Sequence, residues 1–100
     1  MTRATLAING GTLSISGVLD FESVLAIEPQ GRQWLAGAAP AQCALDLAAV
    51  TYSSSVGIAL VLGWMREAQR VGKTLAIHHI PSDMLALARV GGLDTVLAPQ

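Results

Sequence analysis

The chain has one cysteine, Cys43, so no disulfide can form within it, and nothing about it calls for an oxidising compartment. Charge is scarce: 13% of the residues are Asp, Glu, Lys or Arg, and the net charge is −1. Holding nucleic acid by phosphate neutralisation needs a basic stripe, and none is present. Aromatic residues number four. The longest uncharged apolar stretch, Val56 to Met65, is far too short to span a bilayer. No basic opening leads into a long apolar run, so the chain reads as unexported. There is no internal repeat, P-loop, dinucleotide fingerprint or nucleophile elbow. Adjacent residues of a strand point to opposite faces, so His78 and His79 do not chelate one metal. Cys43 has no neighbouring histidine and reads as a buried thiol. Ser53, Ser54 and Ser55 have no base visible in the sequence, which disfavours a serine hydrolase. No catalytic residue, metal or cofactor is expected.

Apolar surface is what the chain does have. Hydrophobic residues make up 52% of its 100 positions, enough for one domain over residues 1–100 with a single core. With so little charge, some apolar surface must stay outside, which points to a face covered by a partner.

Taken in order, Thr5 to Ile8 is a short strand, and Asn9-Gly10-Gly11 is a hairpin turn. Thr12 to Ser16 alternates with period two and is the returning strand. Asp20 is placed to cap a helix over about Phe21 to Ala36, which Pro29 is expected to kink or split after Ile27. Cys43 to Leu47 is a central strand, apolar except at Asp46, which could bond loop backbone. A second helix runs from the serine cluster to about Arg70 and ends at Gly72. Thr74 to His78 is a strand, and a third helix spans Met84 to about Val90. Leu93 to Leu97 is a turn or an edge segment. The order ββαβαβα predicts an α/β fold: a mixed sheet of four to five strands with helices mainly on one face.

Thr51-Tyr52-Ser53-Ser54-Ser55-Val56-Gly57 is the organising stretch. Serine hydroxyls cap helix N-termini, and Ser55 is expected to contribute such a cap. Gly57 leaves room for another backbone at the first turn. On a helical wheel Ile58, Val61, Leu62, Met65 and Ala68 form the core stripe, and Leu60, Trp64 and Val71 widen the apolar arc to roughly 200°. Charges begin only at Arg66. With Arg70 and Lys73, Arg66 forms a small basic patch on the solvated face. In the first two turns even the outward positions, Val56, Ala59, Leu60 and Gly63, are apolar. That pattern fits a docking surface for another protein, with Trp64 as an anchor and the serine loop at its rim.

Two segments resemble a known family. Gly17-Val18-Leu19-Asp20 is similar to the G-x-L-D motif of STAS domains, the anti-sigma factor antagonist fold. Leu45-Asp46-Leu47-Ala48-Ala49-Val50, running through Ser53-Ser54-Ser55-Val56-Gly57 into the helix, resembles that family's central strand–loop–helix signature. Val71-Gly72-Lys73 and Gly92-Leu93-Asp94 also fit. The resemblance implies a STAS fold and a non-catalytic role. It places Ser55 at the family's phospho-acceptor position, Gly57 at the motif glycine and Asp20 as a supporting acid. Ser54 departs from the pattern, standing where the family has Asp. Single-domain members include a subunit of Mla-type phospholipid-transport ABC transporters, similar to this chain in length. The resemblance therefore implies a regulatory subunit, cytoplasmic at the inner face of a Gram-negative inner membrane, gripping the transporter's ATPase through Ser53, Ser54, Ser55, Val56, Gly57, Ala59, Leu60, Gly63 and Trp64. The alternative it implies is an anti-sigma factor antagonist, met by a kinase and switched by phosphorylation of Ser55.

Overall fold

A computed structural model describes residues 4–93. β1 (Thr5–Asn9) and β2 (Thr12–Leu19) form a hairpin, followed by α1 (Phe21–Ala36), β3 (Gln42–Ser53), α2 (Ser55–Arg70), β4 (Thr74–His78) and α3 (Ser82–Val90). Among the described residues the sheet has four strands in the order β1-β2-β3-β4. β1 runs antiparallel to β2, while β2–β3 and β3–β4 are parallel. This is the mixed α/β sheet expected from the sequence. Of the predicted Leu93–Leu97 segment, all but Leu93 lies outside the described residues.

Gly10, with φ 62°, takes the positive angle that the hairpin turn needs at its first central position. Along β2 the odd residues Leu13, Ile15, Gly17 and Leu19 are buried under the helices, and the even ones are half-exposed. Cys43, Leu45 and Leu47 continue that buried face on β3. The opposite face is small and polar, with Thr12, Ser14 and Ser16 beside Ala44 and Asp46. One covered face makes a thin molecule, 30 × 29 × 19 Å.

β3 runs to Ser53, well beyond the predicted end at Leu47. Its register against β2 shifts between Ser14 and Ser16 and again between Gly17 and Val18. Each shift adds a residue on β3, which is why simple alternation fails past Leu47. Gly17, at φ 96°, sits at the second irregularity in a conformation other residues avoid.

α1 is one continuous helix despite Pro29, so the expected split does not occur. Pro29 is exposed, and the carbonyl it leaves without an amide partner belongs to Leu25, also exposed. Water can satisfy that group, while Ile27, Gly31, Trp34 and Leu35 hold both halves on the core. At its start Asp20 accepts from the Ser23 amide at 2.9 Å, and the Ser23 hydroxyl accepts from the Asp20 amide at 3.0 Å, a capping box. At its end Lys73 Nζ donates to the Leu35 and Gly37 carbonyls at 2.7 and 3.1 Å. A cation from beyond α2 thus serves carbonyls that α1 leaves unpaired.

α1 and α2 meet at Gly31. The Trp64 ring lies where a side chain at Gly31 would begin, and its indole N–H donates to the Glu28 carbonyl at 3.2 Å. Gly31→Ala should therefore destabilise the fold by about 1–3 kcal/mol or more, as overpacking does. The check is a shifted urea midpoint at unchanged m-value.

Candidate functional site

The parallel strands β2 and β3 end side by side, and the N-termini of α1 and α2 emerge from those ends. The Ser54 amide donates to the Leu19 carbonyl at 3.0 Å, and the Ser54 hydroxyl to the same oxygen at 3.3 Å. These bonds tie the start of α2 to the Gly17–Asp20 motif. Ser53 closes the third side. It is 1% exposed, its hydroxyl donates to the Ser54 carbonyl at 2.9 Å, and its amide donates to Asp83 at the start of α3 at 3.2 Å. The other Asp83 oxygen accepts from the Met84 amide. One carboxylate therefore clamps α3 to the serine stretch.

The three serines play different parts. Ser54 is the N-cap of α2, its hydroxyl accepting from the Val56 amide at 3.3 Å. Ser55, the expected cap, is instead the first helical residue; it is exposed and its hydroxyl makes no hydrogen bond. Among the described residues no histidine or carboxylate side chain bonds any of the three hydroxyls, the base that would activate a serine nucleophile.

Gly57 is buried, and a side chain there would strike Ser53 Oγ and crowd Met84 Cε and Leu19 Cδ1 at 3.2 and 3.3 Å. The space a glycine keeps open is therefore filled by side chains of this chain, not by a second backbone as expected. The wheel is corrected as well. Leu60 is 3% exposed and Trp64 0%, so neither can meet a partner as the sequence suggested. Leu62 and Met65, expected in the core, are half-exposed. Packing of Trp64 on Gly31 turns α2 toward α1 and rolls those two residues outward. They line a groove of ≈ 570 Å³ with Arg66, Gln69, Lys73, Thr74 and Leu75, beside β4 and apart from the serines.

Of the expected docking residues, Ser55, Ala59 and Gly63 face solvent, Ser54 and Val56 are half-exposed, and Ser53, Gly57, Leu60 and Trp64 are internal. The structure adds apolar residues that the sequence reading missed. On α1, Phe21 is 63% exposed and Leu25 60%, one turn apart; Tyr52 near the end of β3 is 53% exposed. The signal was available: Phe21 and Leu25 stand four apart, opposite the stripe that includes Val24, Ile27, Gly31 and Trp34. Together with Ser55 and Ala59 they give the N-terminal ends of both helices an apolar, weakly charged exterior. Asp20 lies beside it, its carboxylate capping α1.

Away from this end, Asp46 accepts from the Ala48 amide at 2.9 Å and bonds His79 Nδ1 at 3.0 Å. His79 holds a positive φ of 59°. Instead of the expected bond to loop backbone, Asp46 bonds the backbone of its own strand at Ala48 and reaches the loop through the His79 side chain. The Ala48 amide first, and then His79, hold its carboxyl below its ordinary value. Burial pushes the Cys43 thiol up. Among the described residues no group of His, Cys, Asp or Glu could hold a metal ion, and no helix is long and apolar enough to cross a membrane.

Comparison with known proteins completes the picture. The family model described as "Mlab, STAS domain" matches residues 3–99. The chain belongs to the STAS domain family. No curated protein sequence matches it. Among solved structures it is similar to the unphosphorylated anti-sigma factor antagonist SpoIIAA, at TM-score 0.72 and 22% identity, covering 92% of this chain and 83% of that one. Phosphorylated SpoIIAA, a Bacillus cell fate determinant, matches at 0.67 and 24%, covering 92% and 86%. A chain of the Pseudomonas aeruginosa complex between diguanylate cyclase SiaD and its activator SiaC matches at 0.56 and 21%, covering 92% and 84%. At these identities the likeness is one of fold. It agrees with the four-stranded mixed sheet and three helices of this STAS domain.

Two outcomes follow. Ser54→Ala should cost about 0.5–2 kcal/mol, the usual loss for an N-cap, whereas Ser55→Ala should leave the thermal midpoint unchanged. Asp46 has a lowered folded pKa, so its charge stabilises the fold above the unfolded carboxylate pKa and ceases to do so as pH falls through the lower folded value. The stability gap between wild type and Asp46→Asn should therefore be open at neutral pH and close in strong acid, as read by urea titrations across pH.

Proposed function

We propose that this STAS domain is a non-catalytic regulatory subunit that docks on another protein through the N-terminal ends of α1 and α2. The partner proposed is the ATPase subunit of an Mla-type phospholipid-transport ABC transporter, with the chain meeting the membrane only through that complex. The observation that carries the reading is the pair Phe21 and Leu25, large, apolar and exposed on the first two turns of α1, which begins next to Ser54 through the Leu19 carbonyl. The docking set becomes Phe21, Leu25, Ser54, Ser55, Val56, Ala59 and Gly63. The match to a family model described by the MlaB name supports the choice of transporter. Docking acts by population: a surface that fits the dimer-competent ATPase better than other states favours that state.

One observation favours a second reading. The free, exposed hydroxyl of Ser55 opens a helix, and the fold is shared with SpoIIAA in its phosphorylated form. A phosphate there would bring about −1.5 to −2 charges to an apolar docking face near Asp20 and expel a partner. This is an anti-sigma factor antagonist switched at Ser55.

Co-expression with the ATPase of an Mla-type transporter should yield a stable complex. Phe21→Asp and Leu25→Asp should each weaken it by about tenfold or more, the loss expected of hot-spot residues, with circular dichroism unchanged, while Val90→Asp on α3 leaves it intact. Stable capture of an anti-sigma kinase instead, with one phosphate added at Ser55 by intact mass, would establish the second reading in place of the first.

A further inference from the structure

Among the described residues β1 is an edge strand at the far side of the sheet from β4. Asn9 and Thr12 close the two-residue turn, so Thr5, Ala7 and Asn9 direct their backbone groups at Ser16, Ser14 and Thr12. The other side of the ladder agrees: the Ala44 amide donates to the Gly11 carbonyl at 2.9 Å, so the odd residues of β2 face β3 and the even ones face β1. The N–H and C=O of Leu6 and Ile8 therefore point out of the sheet. Native edges are normally guarded by charge, proline or a bulge. β1 has none of these. No charged residue occurs from Ala4 to Leu19, β1 pairs with β2 without a register shift, and Ile8 is 55% exposed. β4, by contrast, follows Lys73 and ends at His78, with His79 next to it.

We propose that β1 is the contact edge of a symmetric dimer, in which two copies pair antiparallel about Ala7. The occupant is a second copy because the strand is self-complementary in that register. Pairing about Ala7 sets Leu6 opposite Ile8 of the other copy, and both present outward N–H and C=O groups, so about four main-chain hydrogen bonds form. Leu6 and Ile8 share the helix-side face with Leu13 and Ile15, so each exposed Ile8 is covered by the other copy's Leu6. Thr5 falls opposite Asn9 on the polar face. No like charges meet. The two sheets become one, with the helices of both copies on the same side. The contact is small, so the dimer is weak and reversible.

Sedimentation velocity on the intact chain from micromolar to millimolar concentration should show monomer passing to dimer. Over the same range the Leu6 and Ile8 amides should gain protection from hydrogen exchange, while Ala7 is protected throughout. Ile8→Lys, and separately Ile8→Pro, which removes an outward N–H while breaking no bond to β2, should each weaken the dimer by about tenfold or more. Unchanged circular dichroism checks the fold. A chain that stays monomeric at millimolar concentration overturns the proposal. So does a dimer that survives both Ile8 variants but is lost in Phe21→Asp, since the seam then lies on the helices. Open-ended growth also overturns it, because β1 would then be pairing with β4 of the next copy.

Discussion

The helical layer depends on one close contact, the Trp64 ring over the bare backbone of Gly31. Only glycine leaves room for an indole against the helix axis, and the N–H to the Glu28 carbonyl fixes the ring's direction. With that pair set, α2 has no rotational freedom. Leu60 and Val61 turn inward, while Ala59, Gly63 and the half-exposed Leu62 turn outward. The exposed Phe21 and Leu25 follow from the same contact, because α1 must present its Gly31 side to α2. The surface available to a partner is thus defined by a buried aromatic residue that never touches it.

The second constraint is at the strand ends. Leu19, Ser54, Ser53 and Asp83 form a chain of main-chain and side-chain hydrogen bonds joining the starts of α1, α2 and α3. Among the described residues no buried side-chain nitrogen or oxygen lacks a partner. Such a network is rigid. Ser55 stands just outside it, held in place by its neighbours but with its own hydroxyl free. A partner or a phosphate can engage that residue without dismantling the corner.

Much of the architecture was legible in the chain itself. The Asn9-Gly10-Gly11 turn, the alternation of β2, the Asp20 cap and the Gly72 stop are local signals, and each element started or stopped at its signal, although β2 runs on past the expected end at Ser16 to Leu19. Pro29 was misleading because its disruptive effect depends on whether water reaches the freed Leu25 carbonyl, a matter of tertiary exposure. The far half of β3 was missed because bulges erase the period-two pattern. At the candidate site, composition indicated surplus apolar surface but not its address. Leu60 and Ala59 are both apolar neighbours on one helix, and nothing local says which turns inward.

By itself, then, the sequence determined the element order, the sheet type, the serine-capped start of α2 and the presence of apolar residues with no core to enter. These depend on hydrogen bonds and periodicities that span a few residues. Tertiary structure alone decided which of the three serines caps, which side of α2 is buried, and that α1 contributes Phe21 and Leu25 to the exterior. Those outcomes depend on Gly31 meeting Trp64 and on Asp83 meeting Ser53, pairs distant in the chain whose approach is set by packing the whole helical layer on one face of the sheet.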